Sequence, residues 1–71
     1  MVMIDDDLKT SWPEVVGMDL FWAAAKIHSD RPDVLVEVHK VGDNSDPGYD
    51  PKRVRMFVDK DGIVAQTPVI G

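Results

Sequence analysis

Two β-branched segments, residues 34–38 and 53–59, are separated by a stretch that has neither a helical nor a strand period. That stretch, residues 39–52, holds two prolines, two glycines and three aspartates. It is long enough to join parallel strands, which need a connection of about a dozen residues or more. Structureless connections of this length are uncommon in small domains and are usually functional. The pattern therefore predicts two parallel strands joined by a long exposed loop.

Side chains alternate between apolar and polar along residues 53–59, as expected for a strand with one buried face. The predicted buried face comprises Val54, Met56 and Val58. The predicted open face comprises Arg53, Arg55 and Phe57. After a turn at Asp61-Gly62, residues 63–66 are predicted to return as a short antiparallel strand. Pro68 restricts this third strand to the edge of the sheet.

A helix is predicted over residues 19–29, with Asp19 as its N-cap and Arg31-Pro32 beyond its end. Its apolar face consists of residues at helical spacing, Leu20, Ala23, Ala24 and Ile27. The predicted fold class is therefore α+β, with one α-helix packed on a small mixed β-sheet and a long exposed loop joining two parallel strands.

Three large aromatic side chains are not part of the faces described so far, and each must be either buried or exposed. Trp12 lies in residues 9–17, which we interpret as an extended segment that inserts Trp12 into the core. Phe21 and Trp22 fall outside the apolar face of the helix. They either pack against the N-terminal tail or a neighbouring loop, or form an exposed aromatic contact patch.

The chain has 71 residues and no cysteine. Its length allows one domain, and its core must be stable without disulfides or thiolate metal sites. Residues 1–8 are expected to be a flexible acidic tail, because three consecutive aspartates repel one another. Residues 9–71 are expected to be a single domain.

The net charge of −5 comes from 13 acidic and 8 basic residues. It argues against a nucleic-acid partner, which requires clustered Lys and Arg. No apolar run reaches the roughly 20 residues that span a bilayer, so no membrane partner is expected. The N-terminus lacks the basic start and apolar stretch of a signal peptide. The compartment is left open.

The aspartates of the long stretch do not form a recognisable catalytic or metal site. Asp43, Asp46 and Asp50 have no evident base-orienting partner or cleft, so the chain is not expected to be an enzyme. The run 43–50 lacks the alternating ligands and closing glutamate of a calcium loop. We therefore expect no metal and no cofactor.

Arg53 and Arg55 are two residues apart and so share one strand face. They are either solvated side chains on an open sheet face or struts that hold the loop rigid. Guanidinium groups suit the second role, because they donate several hydrogen bonds in fixed geometry. The residues alone leave both interpretations open.

The chain resembles the potato inhibitor I family of serine protease inhibitors, close to its barley chymotrypsin inhibitor branch. The segments that carry the resemblance are residues 9–17, 31–32, 41–42, 53–59 and 65–71. It extends without gaps from Leu8 to Gly71. It implies a monomeric inhibitor of subtilisin-like or chymotrypsin-like serine proteases.

The resemblance also implies which residues contact a protease. The loop 42–52 would enter the protease like a substrate, with its scissile bond between Pro47 and Gly48. The other implied contact residues are Asp43, Asn44, Ser45, Asp46, Tyr49 and Asp50. Arg53 and Arg55 would support the loop from beneath.

Four positions depart from the family pattern. Asp46 stands where threonine is usual, Gly48 where an acidic residue usually reaches the two arginines, and Val69 where arginine is common. Pro47 lacks a backbone N–H and has a fixed φ. These departures predict weak or unusual specificity, and Asp46 could supply the missing acidic contact. The alternative is a non-inhibitory interaction module on the same scaffold.

Overall fold

The computed structural model describes residues 8–43 and 48–71. A 3₁₀ turn at Pro13–Val15 precedes the single helix, α1, at Leu20–Asp30. The strands are β1 (Leu35–Lys40), β2 (Arg53–Val58) and β3 (Val69–Ile70).

Helix α1 begins and ends where the capping pattern predicts. The Asp19 carboxylate accepts a hydrogen bond from the Phe21 amide at 2.9 Å, which satisfies one of the free N–H groups of the first turn. At the other end, the Arg31 amide donates to the Ile27 carbonyl at 2.8 Å. The chain then leaves the helix before Pro32.

The sheet is mixed and has the strand order β1-β2-β3. Strand β1 runs parallel to β2, and β3 runs antiparallel to it. The parallel register places Glu37 opposite Arg55 and His39 opposite Phe57. The predicted α+β fold class is confirmed, with α1 on one face of the sheet.

The third strand lies at residues 69–70 rather than at the predicted 63–66. Residues 63 and 64 form only isolated bridges, to Asp19 and Val58. Val64 is buried, and its amide donates to the Met18 carbonyl at 2.9 Å instead of to a strand ladder. The segment meets β2 antiparallel at a single bridge, where the Ala65 amide donates to the Phe57 carbonyl at 2.9 Å, and the paired strand β3 forms only after Pro68.

One apolar core lies between α1 and the sheet. Its buried members are Trp12, Val15, Ala23, Ile27, Val34, Val54, Met56, Val58 and Val64. Trp12 is completely buried as predicted, and its indole Nε1 donates to the Asp30 carboxylate at 3.0 Å. The chain around it is not fully extended, because Pro13, with its fixed φ, starts a 3₁₀ turn.

Phe21 and Trp22 lie on α1, away from this core. Their exposed fractions are 76% and 72%, so residues 8–43 and 48–71 leave both rings largely uncovered. In the described part of the chain, they form an exposed pair rather than a packed one.

Within residues 8–43 and 48–71, no helix combines the length and apolar character that a bilayer-crossing helix requires.

Candidate functional site

The loop between β1 and β2 leaves β1 through a hydrogen-bonded turn. The Asp43 amide donates to the Lys40 carbonyl at 3.0 Å, and the Asp43 carboxylate accepts from the Lys40 amide at 3.1 Å. The Val41 amide donates to the Val58 carbonyl at 3.0 Å. The start of the loop is therefore tied to the end of both parallel strands.

The other end of the loop is hydrogen-bonded to the start of β1 and to Gly71, the residue after β3. The Asp50 amide donates to the Gly71 carbonyl at 3.0 Å, and the Leu35 amide donates to the Lys52 carbonyl at 2.8 Å. The Asp50 carboxylate accepts from the Lys52 amide at 2.9 Å. These bonds direct residues 48–50 outward before the chain enters β2.

Arg53 and Arg55 reach into the loop from β2. Both guanidinium groups donate to the Gly48 carbonyl oxygen, Arg55 from Nη2 at 2.8 Å. Arg53 also donates to the Gly71 carbonyl, from Nη2 at 2.6 Å and from Nε at 3.2 Å. The two arginines are thus bonded to the loop and to the residue beside it, and the solvated interpretation does not fit this geometry.

The predicted contact residues that the structure describes are exposed. Asp43, Gly48 and Asp50 are exposed, and Tyr49 has an exposed fraction of 73%. The remaining contact residues of the sequence-based assignment, Asn44, Ser45, Asp46 and Pro47, lie outside the described residues.

The sequence interpretation did not include Glu37 and His39, which share the open sheet face with the arginines. Glu37 Oε1 lies 3.0 Å from His39 Nε2, and Glu37 Oε2 lies 3.9 Å from Arg53 Nη1. The His39 ring stacks on Phe57 with a centroid separation of 5.3 Å. The alternation along β1, combined with the parallel pairing, is the signal that could have identified both residues.

The sequence interpretation also did not identify a second ionic group, which lies at the end of the loop that leads into β2. The buried Arg31 forms a bidentate pair with Asp33, with both N–O distances 2.8 Å, and donates to the Lys9 carbonyl. Lys52 Nζ lies 2.6 Å from the same Asp33 carboxylate. The hydrogen bond from Arg31 and, to a smaller extent, the one from Lys52 hold the pKa of the Asp33 carboxyl well below its usual range.

In the part of the chain that the structure describes, no three His, Asp or Glu side chains are grouped closely enough to hold a metal ion. The carboxylates of Asp43 and Asp50 accept backbone hydrogen bonds in the turns at the two ends of the loop.

The architecture matches that of a solved protease inhibitor. The crystal structure of bitter gourd trypsin inhibitor has a TM-score of 0.86 and 40% sequence identity, and the match covers 89% of this chain and 93% of that one. The fold and the braced loop thus define a small serine protease inhibitor rather than an enzyme. Residues 4–71 match the model of the potato inhibitor I family, and the chain belongs to that family.

Curated relatives agree with this assignment. A chymotrypsin inhibitor of Lumbricus terrestris is 48% identical over 64 residues, which are 90% of this chain and 74% of the relative. The subtilisin-chymotrypsin inhibitor CI-1A of Hordeum vulgare is 44% identical over 63 residues, 89% of this chain and 71% of the relative. The family resemblance and the inhibitory function predicted from the sequence are confirmed.

Proposed function

We propose that the loop 42–52 binds serine proteases as a substrate would, with Pro47–Gly48 as the scissile bond. The observation that carries the proposal is the convergence of Arg53 and Arg55 on the Gly48 carbonyl oxygen. Gly48 would be the residue on the leaving side of that bond. Because the segment that begins at Gly48 is hydrogen-bonded to the sheet, it stays beside the protease after cleavage. The Pro47–Gly48 bond can then re-form, and the inhibitor is released slowly.

Rigidity is the physical basis of this activity. A loop already held in its bound shape loses less conformational entropy on association than a flexible peptide. The Asp50–Gly71 hydrogen bond and the two arginines restrict the segment that follows the proposed scissile bond. The described loop residues nevertheless remain exposed, as a segment that enters a protease cleft must be.

The proposed targets are subtilisin-like and chymotrypsin-like serine proteases. This choice rests on relatives that are named as chymotrypsin and subtilisin inhibitors. We further propose that residues 9–71 act as one monomeric inhibitor domain and that residues 1–8 are a tail outside it.

Pro47 is the basis for proposing weak or unusual specificity. A substrate-like residue in front of the scissile bond donates its N–H to the protease, and proline has none. A buried hydrogen-bond partner left unsatisfied costs about 1–3 kcal/mol. Proline also fills a deep aromatic or aliphatic pocket poorly. Proteases with small pockets are therefore expected to be the better targets.

A protease panel combined with cleavage mapping tests the proposal. The chain is incubated with catalytic amounts of subtilisin-like, chymotrypsin-like and small-pocket proteases, and the products are identified by mass spectrometry. We expect inhibition of at least one enzyme and a single slow cut between Pro47 and Gly48. Rapid cutting at several sites in 42–52, without inhibition, would contradict the proposal.

The alternative is a non-inhibitory interaction module, which the exposed pair Phe21 and Trp22 favours. The same panel separates the two functions. If no protease is inhibited, the module becomes the better explanation. If inhibition is found and survives Phe21→Ala with Trp22→Ala, the helix pair plays no part in it.

A further inference from the structure

One of the two arginines beneath the loop, Arg53, lies near a carboxylate on strand β1. Gly48, to which both arginines bond, has no acidic side chain of its own. Glu37 Oε2, by contrast, lies 3.9 Å from Arg53 Nη1. The carboxylate thus faces Nη1 of the guanidinium, whereas Nη2 donates to the Gly48 carbonyl.

Burial strengthens this ion pair. The Arg53 side chain has an exposed fraction of 12% and that of Glu37 has 35%. Partly buried charges are screened less by salt and water than charges on the open surface. A carboxylate at this position also favours the guanidinium orientation that directs Nη2 to Gly48 and Gly71.

His39 fixes the carboxylate in turn. Its Nε2 lies 3.0 Å from Glu37 Oε1, and its ring is stacked on Phe57 with an interplanar angle of 27°. With the proton on Nε2, His39 donates to Glu37 and leaves Oε2 directed at Arg53. The arrangement forms a chain of contacts from His39 through Glu37 and Arg53 to Gly48.

We propose that Glu37 is a positioning residue for the protease-binding loop, acting through Arg53. It supplies from strand β1 the negative charge that no side chain at Gly48 can provide. This inference rests on the proposed function of the loop. It adds a residue of β1 to the residues that support the loop, which the sequence interpretation had assigned to β2 alone.

The test replaces Glu37 with its neutral isostere. Glu37→Gln removes the charge and keeps the shape, while Glu14→Gln makes the same change in a carboxylate whose partners are Lys9 and Lys26. Two quantities are measured: hydrogen exchange at Arg53 Nε by NMR, and the rate of loop hydrolysis by catalytic subtilisin.

We expect both rates to rise by about twofold to fivefold in Glu37→Gln, the range for partly exposed ion pairs. Neither should change in Glu14→Gln. Adding Gly48→Glu to Glu37→Gln should return both rates to within about twofold of wild type, because the carboxylate then approaches Arg53 from the loop. If Glu37 only stabilised the sheet, a carboxylate introduced on the loop by Gly48→Glu would not restore either rate.

Unchanged exchange at Arg53 Nε in Glu37→Gln would overturn the inference, as would an unchanged hydrolysis rate or failure of the Gly48→Glu rescue. The exchange measurement needs no protease. If the wild type inhibits no protease, the proposed function fails, yet the Arg53 exchange rate still decides whether Glu37 holds that guanidinium.

Discussion

The guanidinium group of Arg55 donates to the Gly48 carbonyl oxygen across 2.8 Å, although the two residues are seven positions apart in the chain. Arg53 donates to the same oxygen. One backbone acceptor in the loop is thus held by two side chains of strand β2. Because β2 is the central strand of the sheet, these bonds connect the loop to a strand that is paired on both sides.

Replacing both Arg53 and Arg55 with alanine should loosen the loop more than it destabilises the fold. Their side chains lie on the sheet face opposite Val54 and Met56, which are buried. We expect faster proteolysis within residues 43–50 and a loss of only about 1–2 kcal/mol in the free energy of unfolding. Limited proteolysis and denaturant titration measure the two effects, with Lys60→Ala as an exposed control. Unchanged loop cleavage would show that the arginines are not struts.

The two tryptophans should differ sharply in their contribution to stability. Trp12→Ala removes a fully buried side chain and its bond to Asp30, and should cost about 3–5 kcal/mol. Trp22→Ala should change stability by only about 0.5 kcal/mol, since its ring is exposed. Denaturant titration gives both values, and Trp12→Phe provides a milder variant should Trp12→Ala not fold. Equal losses at the two positions would contradict the helix orientation.

Stability should depend on Asp33 in a defined range of pH. Its pKa is lowered by Arg31 and Lys52, so the carboxylate stabilises the fold above the unfolded-state pKa of about 3.9. That contribution is lost as the pH falls from there through the lower folded-state pKa. Wild type should therefore exceed Asp33→Asn in stability by a constant margin between about pH 5 and 7, and by less at about pH 3 and below.

Thermal unfolding of the two proteins across this range measures that margin. Asp61→Asn is the matched control, because Asp61 is exposed. A margin for Asp33→Asn that persists undiminished at the lowest pH would show that the stabilisation does not come from the charged carboxylate.

Calcium should not stabilise the protein. The carboxylates of Asp43 and Asp50 accept backbone hydrogen bonds from Lys40 and Lys52, and the run 43–50 lacks the ligand spacing of a calcium loop. Millimolar calcium should leave Tm and the amide resonances of the loop unchanged, apart from uniform ionic-strength effects. Saturable shifts confined to residues 43–50, absent with magnesium, would establish a calcium site.

The local sequence pattern was sufficient to predict the helix, the two parallel strands and the burial of Trp12. Asp19 caps α1 through its own side chain, and the alternation along residues 53–58 decides which face of β2 is buried. Each of these features depends on residues that are close in sequence. The long loop was predictable for the same reason, because it lacks any period.

The third strand was misplaced because its position depends on distant partners. Ile63 and Val64 have high strand propensity, yet the Val64 amide donates to the Met18 carbonyl, and the segment makes only one antiparallel bridge to β2, at Val58. The two-residue ladder with β2 forms at Val69 and Ile70 instead. The Trp12 amide also donates to the Pro68 carbonyl, which fixes this end of the chain beside the N-terminal segment. No local pattern in residues 63–70 shows these choices.

The support of the loop was only half predictable. The spacing of Arg53 and Arg55 indicated their common face, whereas Glu37 joins them only through the register of β1 on β2. The Asp33–Lys52 pair likewise joins residues that are 19 positions apart. Interactions of this kind depend on which strands pair and in what register.

Pro47 is proposed as the residue that enters the specificity pocket of a target protease, and the inhibition constant of Pro47→Leu tests this directly. Leucine restores the backbone N–H, frees φ and fills an apolar pocket. If these gains total about 3 kcal/mol, binding to subtilisin-like and chymotrypsin-like enzymes should tighten roughly a hundredfold. Stability should barely change, because a residue in a loop proposed to enter the protease is expected to contribute little to the core. A gain of less than about tenfold against both enzyme types would contradict the assignment of Pro47–Gly48 as the scissile bond.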